Sequence, residues 1–81
     1  MVKTRLNQLK NGQVCILDSV ELCDYIRKKR LIELGLVKDT KITMLKNNKW
    51  SKNVIIGVRG YALTLDYLLA SQIIVCGVND E

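Results

Sequence analysis

The chain of 81 residues contains no histidine, no proline and no phenylalanine. The lack of histidine removes the commonest general base of enzymes. Among the eight carboxylates, Asp39 and Asp66 stand at predicted turns or caps, and Asp80 and Glu81 stand at the C-terminus. The sequence also lacks a serine on a glycine elbow and a glycine-rich phosphate loop. We therefore predict that the protein is not an enzyme.

The three cysteines, Cys15, Cys23 and Cys76, are odd in number and widely spaced. Zinc and iron sites usually contain histidine or clustered cysteines, so we predict no cofactor and no tight metal site. A weak thiolate site would form only if Cys15 met Cys23 where a strand leads into a helix. We favour the other interpretation, in which the thiols are reduced and Cys15 and Cys76 are buried in strands.

No run of apolar residues approaches the roughly 20 that cross a membrane. Residues 1–5 are polar and no apolar stretch follows them, which argues against a signal peptide. We therefore expect a cytoplasmic protein without membrane insertion. The formal net charge of +5 is ordinary for a small soluble domain, where roughly 2–8 is usual. It also suits an acidic partner: nucleic acid, an anionic membrane surface or an acidic protein face.

The length and the 48% of apolar residues suit one domain over residues 1–81 with a single core. Alternating apolar side chains predict five short strands. These cover residues 13–20, 40–46, 54–58, 61–65 and 73–76. A helical turn or lid with Leu6 and Leu9 precedes them, and Asp66 caps a short helical turn before the last strand. Residues 79–81 are expected to form a frayed tail. Five strands on so few residues favour a small, closed or nearly closed barrel.

A helix is predicted over residues 24–34, after the first strand, with Asp24 as its N-cap. One arc of this helix is apolar and should face the core. The arc comprises Cys23, Ile26, Leu31 and Leu34. Arg30 lies near the middle of the arc, and a buried charge needs a partner. We expect Arg30 to brace a loop, and contact with a ligand is the alternative.

Because proline is absent, the glycines are the best guides to where the chain turns. Gly35 follows the helix at the position where a left-handed backbone ends helices. Leu36 should then fold back onto Leu31 in a Schellman arrangement. Gly60 should reverse the chain between two strands.

Several motifs recur in a fixed order along the chain. Leu6, Leu9 and Gly12 come first, then Arg30-Leu31-x-x-Leu34-Gly35-Leu36, Val58-Arg59-Gly60 and Leu63-x-Leu65. Together they resemble the FeoA family, the small cytosolic proteins of ferrous iron uptake, whose domain also occurs at the C-terminus of some metal-dependent repressors. Lys38 and Asp39 stand where that family usually has Pro-Gly. The resemblance implies a mainly β, SH3-like barrel of five strands, with one helix after the first strand and a short helical turn before the last.

The resemblance also implies a partner, the ferrous iron transporter, whose cytosolic part is a GTPase. An association with transition metals would follow from this family context alone. We predict a non-enzymatic accessory protein in which Lys28, Lys29 and Trp50 face the partner, since they combine charge or aromatic area with expected exposure. The residues expected to be structural are Arg30, Leu31, Leu34, Gly35, Leu36 and Gly60. The sequence also allows a weak homodimer through a strand edge.

Two other functions stay open from the sequence. The basic run Arg27-Lys28-Lys29-Arg30 would suit a nucleic-acid-binding barrel. A helix spreads these four charges around its circumference, however, and the aromatic side chains are scattered, so we do not expect nucleic acid. The third interpretation is a stand-alone relative of the repressor domain that contacts another protein domain.

Overall fold

The computed structural model of the chain describes residues 2–80. Within them, six strands, two α-helices and one turn of 3-10 helix follow one another. The strands are β1 (Lys3–Arg5), β2 (Gln13–Val20), β3 (Lys41–Asn48), β4 (Asn53–Val58), β5 (Tyr61–Asp66) and β6 (Ile73–Asp80). The helices are α1 (Tyr25–Glu33) and α2 (Tyr67–Ser71), and the 3-10 turn covers Leu6–Gln8. The strands form one antiparallel sheet in the order β1-β6-β2-β3-β4-β5.

The fold is mainly β, as predicted, with α1 after the first long strand and α2 before the last. The sheet has six strands instead of the five that we predicted. The additional strand is β1, which pairs with β6 so that Thr4 lies opposite Val75. Three residues are too few for an alternating pattern to be seen in the sequence, which explains the difference.

The last strand is longer than predicted. β6 continues through Asn79 and Asp80, which pair with Val14 and Gln13 of β2. The prediction of a frayed tail is therefore wrong for these two residues, because distant residues supply the pairing. Glu81, the remaining residue of the predicted tail, lies outside the described part of the chain.

The core is made of aliphatic side chains from the strands and the helix ends. Val54, Ile56 and Val58 of β4 are at most 2% exposed, as their alternation predicted. The core also contains Leu6, Leu9, Cys15, Leu17, Leu31, Leu36, Ile42, Met44, Leu65, Ala70, Ile73 and Val75. Burying one such leucine, isoleucine or valine contributes about 1.5–3 kcal/mol. A core without phenylalanine is therefore sufficient to hold the sheet together.

Two aspartates begin the helices, as predicted. The Asp24 carboxylate accepts hydrogen bonds from the N–H groups two and three residues further on, at 3.0 and 3.3 Å. The Asp66 carboxylate does the same for α2, at 3.1 and 3.4 Å. Each satisfies N–H groups that have no partner within the helix.

The two edges of the sheet differ in length and charge. β1 is short and carries Lys3 and Arg5, which discourages pairing with another chain. β5 is six residues long and carries no charge before Asp66. The predicted homodimer stays a prediction, and β5 is the edge that would suit it.

Candidate functional site

α1 ends in the way that its sequence predicted. Gly35 has a φ of +98°, in the left-handed region that favours glycine. The Leu36 N–H donates to the Leu31 carbonyl at 2.9 Å, and the Gly35 N–H donates to the Ile32 carbonyl at 3.0 Å. These are the two hydrogen bonds of a Schellman motif. Leu31 and Leu36 both lie in the core cluster, so the residues that end α1 also attach it to the core.

The turn between β4 and β5 contacts this end of α1. Arg59 and Gly60 have φ values of 51° and 84°, as a two-residue hairpin of type I′ requires. The Tyr61 hydroxyl, just after the turn, donates to the Leu34 carbonyl at the end of α1. A Cβ placed on Gly35 would lie 2.8 Å from Cδ of Arg59, so the arginine stem covers the glycine. The two glycine-containing motifs of the sequence therefore meet in space.

Arg30 does not have the role that we expected. Its side chain is exposed, and within residues 2–80 the structure gives it no hydrogen bond or ion pair to a loop. Arg59 is the arginine that packs against the helix end instead. The prediction for Arg30 is wrong because Leu31, the next residue, points into the core and Arg30 is turned outward.

The predicted apolar arc of α1 is confirmed at Leu31 and wrong at Cys23 and Ile26. Leu31 is the one buried residue among those of the helix itself. Cys23 and Ile26 are exposed, and Leu34 is half-buried. That prediction assumed that the helix packs against the core along its whole length. In the structure α1 is attached at its C-terminal end, so its earlier turns have no core to face.

The outward side of α1 combines apolar and basic side chains. Tyr25, Lys28, Lys29 and Ile32 are spaced by three, four and seven residues, so they share one side of the helix. All four are exposed, with Tyr25 at 75% and Ile32 at 51%. We call these four residues the α1 surface. The two lysines were predicted from the sequence, whereas Tyr25 and Ile32 were not, although their helical spacing was a signal for them.

A groove of about 240 Å³ runs beside the α1 surface. Lys28 and Ile32 line one side, and Asp18 of β2 lines the other. The Asp18 carboxylate is held by two lysines, Lys3 at 3.2 Å and Lys38 at 3.5 Å. The hydrogen bond from Lys3, with the charges of both lysines, lowers the pKa of Asp18 below its usual value. Asp18 is therefore engaged with Lys3 and Lys38 and forms no ion pair with the described lysines of α1.

Trp50 lies away from the α1 surface. It is 97% exposed in the turn that joins β3 to β4. The opposite end of β3 is the one next to α1, because the Thr40 hydroxyl donates to the Gly35 carbonyl at 3.3 Å. The structure therefore brings Lys28 and Lys29 together and places Trp50 at the other end of the β3–β4 pair.

The three cysteines differ in burial. Cys15 and Cys76 are buried, as predicted, and burial, with a smaller effect of Cys76, raises the pKa of Cys15 to about 12. Cys23 is exposed. Within residues 2–80 there is no group of three or more histidine, cysteine, aspartate or glutamate side chains that could hold a metal ion.

A shallow groove of about 730 Å³ crosses the outer face of β3, β4 and β5. Leu45 and Tyr61 line it, and Lys41 and Arg59 are the charged residues of its lining. None of its lining residues is a carboxylate. Across residues 2–80, no helix is long and apolar enough to cross a membrane.

The six antiparallel strands, the helix stop at Gly35 and the type I′ turn define a small barrel of the SH3-like class. The FeoA domain family matches residues 4–76, and the chain therefore belongs to the FeoA family. No curated protein sequence matches the chain significantly.

Several solved structures have a similar fold. The solution structure of FeoA from Chlorobium tepidum is 26% identical, with a TM-score of 0.82 over 96% of this chain and 74% of that one. FeoA from Stenotrophomonas maltophilia in complex with zinc, described as a prokaryotic SH3 domain protein, is 21% identical, with a TM-score of 0.78 over 90% of this chain and 89% of that one. A manganese-dependent transcriptional repressor in complex with manganese is 14% identical, with a TM-score of 0.86 over 93% of this chain. This chain spans 36% of the repressor.

Proposed function

We propose that this chain is a non-enzymatic, cytosolic accessory protein of ferrous iron uptake. It binds the cytosolic GTPase part of the ferrous iron transporter through the α1 surface. Membership of the FeoA family supports the iron-uptake context. The relative from Stenotrophomonas maltophilia is described as a candidate activating factor of bacterial ferrous iron transport.

The observation that carries the proposal is the way α1 is attached to the barrel. Among the residues of α1 itself Leu31 is the one that is buried, so the helix gains little from the core, and yet it is capped at both ends. Its exposed side carries a tyrosine and an isoleucine that would gain free energy from burial in an interface. Lys28 and Lys29 lie beside them and favour an acidic partner face.

The test is an NMR titration of the labelled chain with the soluble GTPase region of the transporter. We expect the largest shifts at Tyr25, Lys28, Lys29 and Ile32. The variant Tyr25→Ala should bind at least about fivefold more weakly, because a buried tyrosine at the centre of an interface commonly contributes more than about 1 kcal/mol.

A charge-reversal pair separates a specific surface from general electrostatic attraction. Lys28→Glu/Lys29→Glu should weaken binding strongly. Lys49→Glu/Lys52→Glu, which makes the same change of net charge at the far end of β3–β4, should bind almost as well as the unchanged chain. Equal losses in the two variants, or shifts spread evenly over the chain, would exclude the α1 surface as the site.

A further inference from the structure

A second exposed surface lies at the far end of the molecule. It consists of Lys49, Trp50 and Lys52 in the β3–β4 turn and Leu68 in α2, and we call it the Trp50 surface. Trp50 is 97% and Leu68 is 70% exposed, and both lysines are exposed. We propose that the Trp50 surface binds the surface of a lipid bilayer that contains anionic lipids.

The turn displays Trp50 in an ordered way. The Asn48 side-chain oxygen accepts hydrogen bonds from the N–H groups of Trp50 and Ser51, both at 3.1 Å. Lys52 has a φ of 56°, which closes the turn before β4 begins. The tryptophan is thus held outward by a defined backbone, so less conformational freedom is lost on binding than for a loose loop.

α2 lies directly beside this turn. The Tyr67 N–H donates to the Lys52 carbonyl at 2.9 Å. Lys52 and Leu68 line one groove together with Asp66 and Tyr67. Leu68 therefore lies beside Lys52, and the surface consists of two separate protruding apolar side chains and two cations. Asp66 is the acidic group nearby, and its carboxylate is engaged at the start of α2.

This combination matches a bilayer better than a protein partner. Tryptophan is favoured at the level of the lipid headgroups, where one part of its ring is apolar and another part is wet. Lysines near an anionic membrane add electrostatic attraction that decays within a Debye length. A protein interface would need a continuous apolar centre, whereas Trp50 and Leu68 project from a turn and a short helix.

The position of the Trp50 surface leaves the α1 surface accessible. The two lie at opposite ends of the β3–β4 pair, so a bilayer contact at one end does not cover the other. The lipid proposal does not rest on the proposed function, and each can fail without the other.

Trp50 is the one tryptophan of the sequence, so its fluorescence reports on this surface directly. The experiment titrates the full chain with vesicles of phosphatidylcholine, with and without phosphatidylglycerol. With phosphatidylglycerol we expect a shift of the emission to shorter wavelength and protection from acrylamide quenching, both reversed by high salt. Vesicles of phosphatidylcholine alone should give no shift.

Charge reversal supplies the matched control. Lys49→Glu/Lys52→Glu should lower the partition coefficient at least about twentyfold, since each lysine near an anionic surface changes it about fivefold. Lys28→Glu/Lys29→Glu has the same net charge and should bind vesicles nearly as well as the unchanged chain. Co-sedimentation of Trp50→Ala and Leu68→Ser with the same vesicles should show reduced binding, with circular dichroism confirming that both are folded.

Three results would overturn the proposal. One is an unshifted emission spectrum on vesicles containing phosphatidylglycerol. Another is an equal loss of vesicle binding in the two charge-reversal variants, which would indicate attraction without a defined surface. The third is a shift of Trp50 emission on adding the transporter's GTPase region but not on adding vesicles, which would assign the surface to a protein.

Discussion

An added methyl group at Gly35 would meet two separate obstacles. The left-handed φ of +98° costs an alanine about 1–2 kcal/mol. Alanine also lowers the conformational entropy of the unfolded chain, which offsets about 0.4–1 kcal/mol of that cost. The second obstacle is Arg59, whose Cδ and Nε would lie 2.8 and 3.1 Å from the new Cβ. Displacing that flexible side chain costs about 0.5–1.5 kcal/mol. Gly35→Ala should therefore lower the free energy of unfolding by about 2 kcal/mol.

Gly12 is a matched control for the backbone obstacle alone. Its φ is +89°, and a Cβ built there has no atom within 4 Å. Gly12→Ala should thus cost about 1 kcal/mol or less. In a background of Arg59→Ala, the substitution Gly35→Ala should cost about as much as Gly12→Ala. The difference between the two backgrounds gives the coupling between Gly35 and Arg59.

Urea unfolding followed by far-UV circular dichroism is the suitable assay. Trp50 is 97% exposed in the folded protein, so its fluorescence would change little on unfolding. Equal losses for Gly35→Ala and Gly12→Ala in the unchanged background would refute the role of the Arg59 contact. No loss at Gly35 would refute the left-handed helix stop itself.

Three further substitutions test other contacts, each by the same urea measurement. Tyr61→Phe removes the hydroxyl that donates to the helix end and should cost about 0.5–1.5 kcal/mol, with faster amide exchange in the last turn of α1; unchanged exchange would contradict this. Asp39→Gly should stabilise the protein by about 0.5–1 kcal/mol, because Asp39 has a φ of 72°; a loss of stability would instead show that its side chain is needed. The lysines around Asp18 lower its pKa in the folded state, so they contribute stability above its unfolded pKa of about 3.9 that is lost as the pH falls through the folded pKa. Asp18→Asn should therefore be less stable than the unchanged chain at pH 7, with a difference that shrinks below about pH 4; a difference independent of pH would contradict the linkage.

Local patterns predicted the parts of this fold that local physics determines. The alternation of Val54, Ile56 and Val58 predicted the inward face of β4, and Asp24 and Gly35 predicted the limits of α1. These features depend on strand alternation, on helix capping and on the backbone conformation of single residues. Each of the three is determined by residues close in the sequence.

The remaining features depend on residues that are distant in the sequence. β1 and the end of β6 exist because other strands pair with them, and no pattern within three residues reveals a partner. The apolar arc of α1 failed because periodicity gives the sides of a helix but not how much of its length is covered. The separation of Trp50 from Lys28 follows from the path of β3, and so the candidate partner residues could be identified singly but not placed relative to one another.

The attachment of α1 through one buried residue has a consequence for divergence within the family. Tyr25, Lys28, Lys29 and Ile32 are exposed and lie outside the core cluster, so we expect substitutions there to cost little folding stability. Under the proposed function, selection on partner recognition can therefore change the residues on this side of the helix, while Leu31, Gly35 and Leu36 maintain the barrel. Recognition specificity and fold are, under the proposed function, encoded by separate residues that alternate within one short segment. A lineage could acquire a new partner there without first acquiring additional stability.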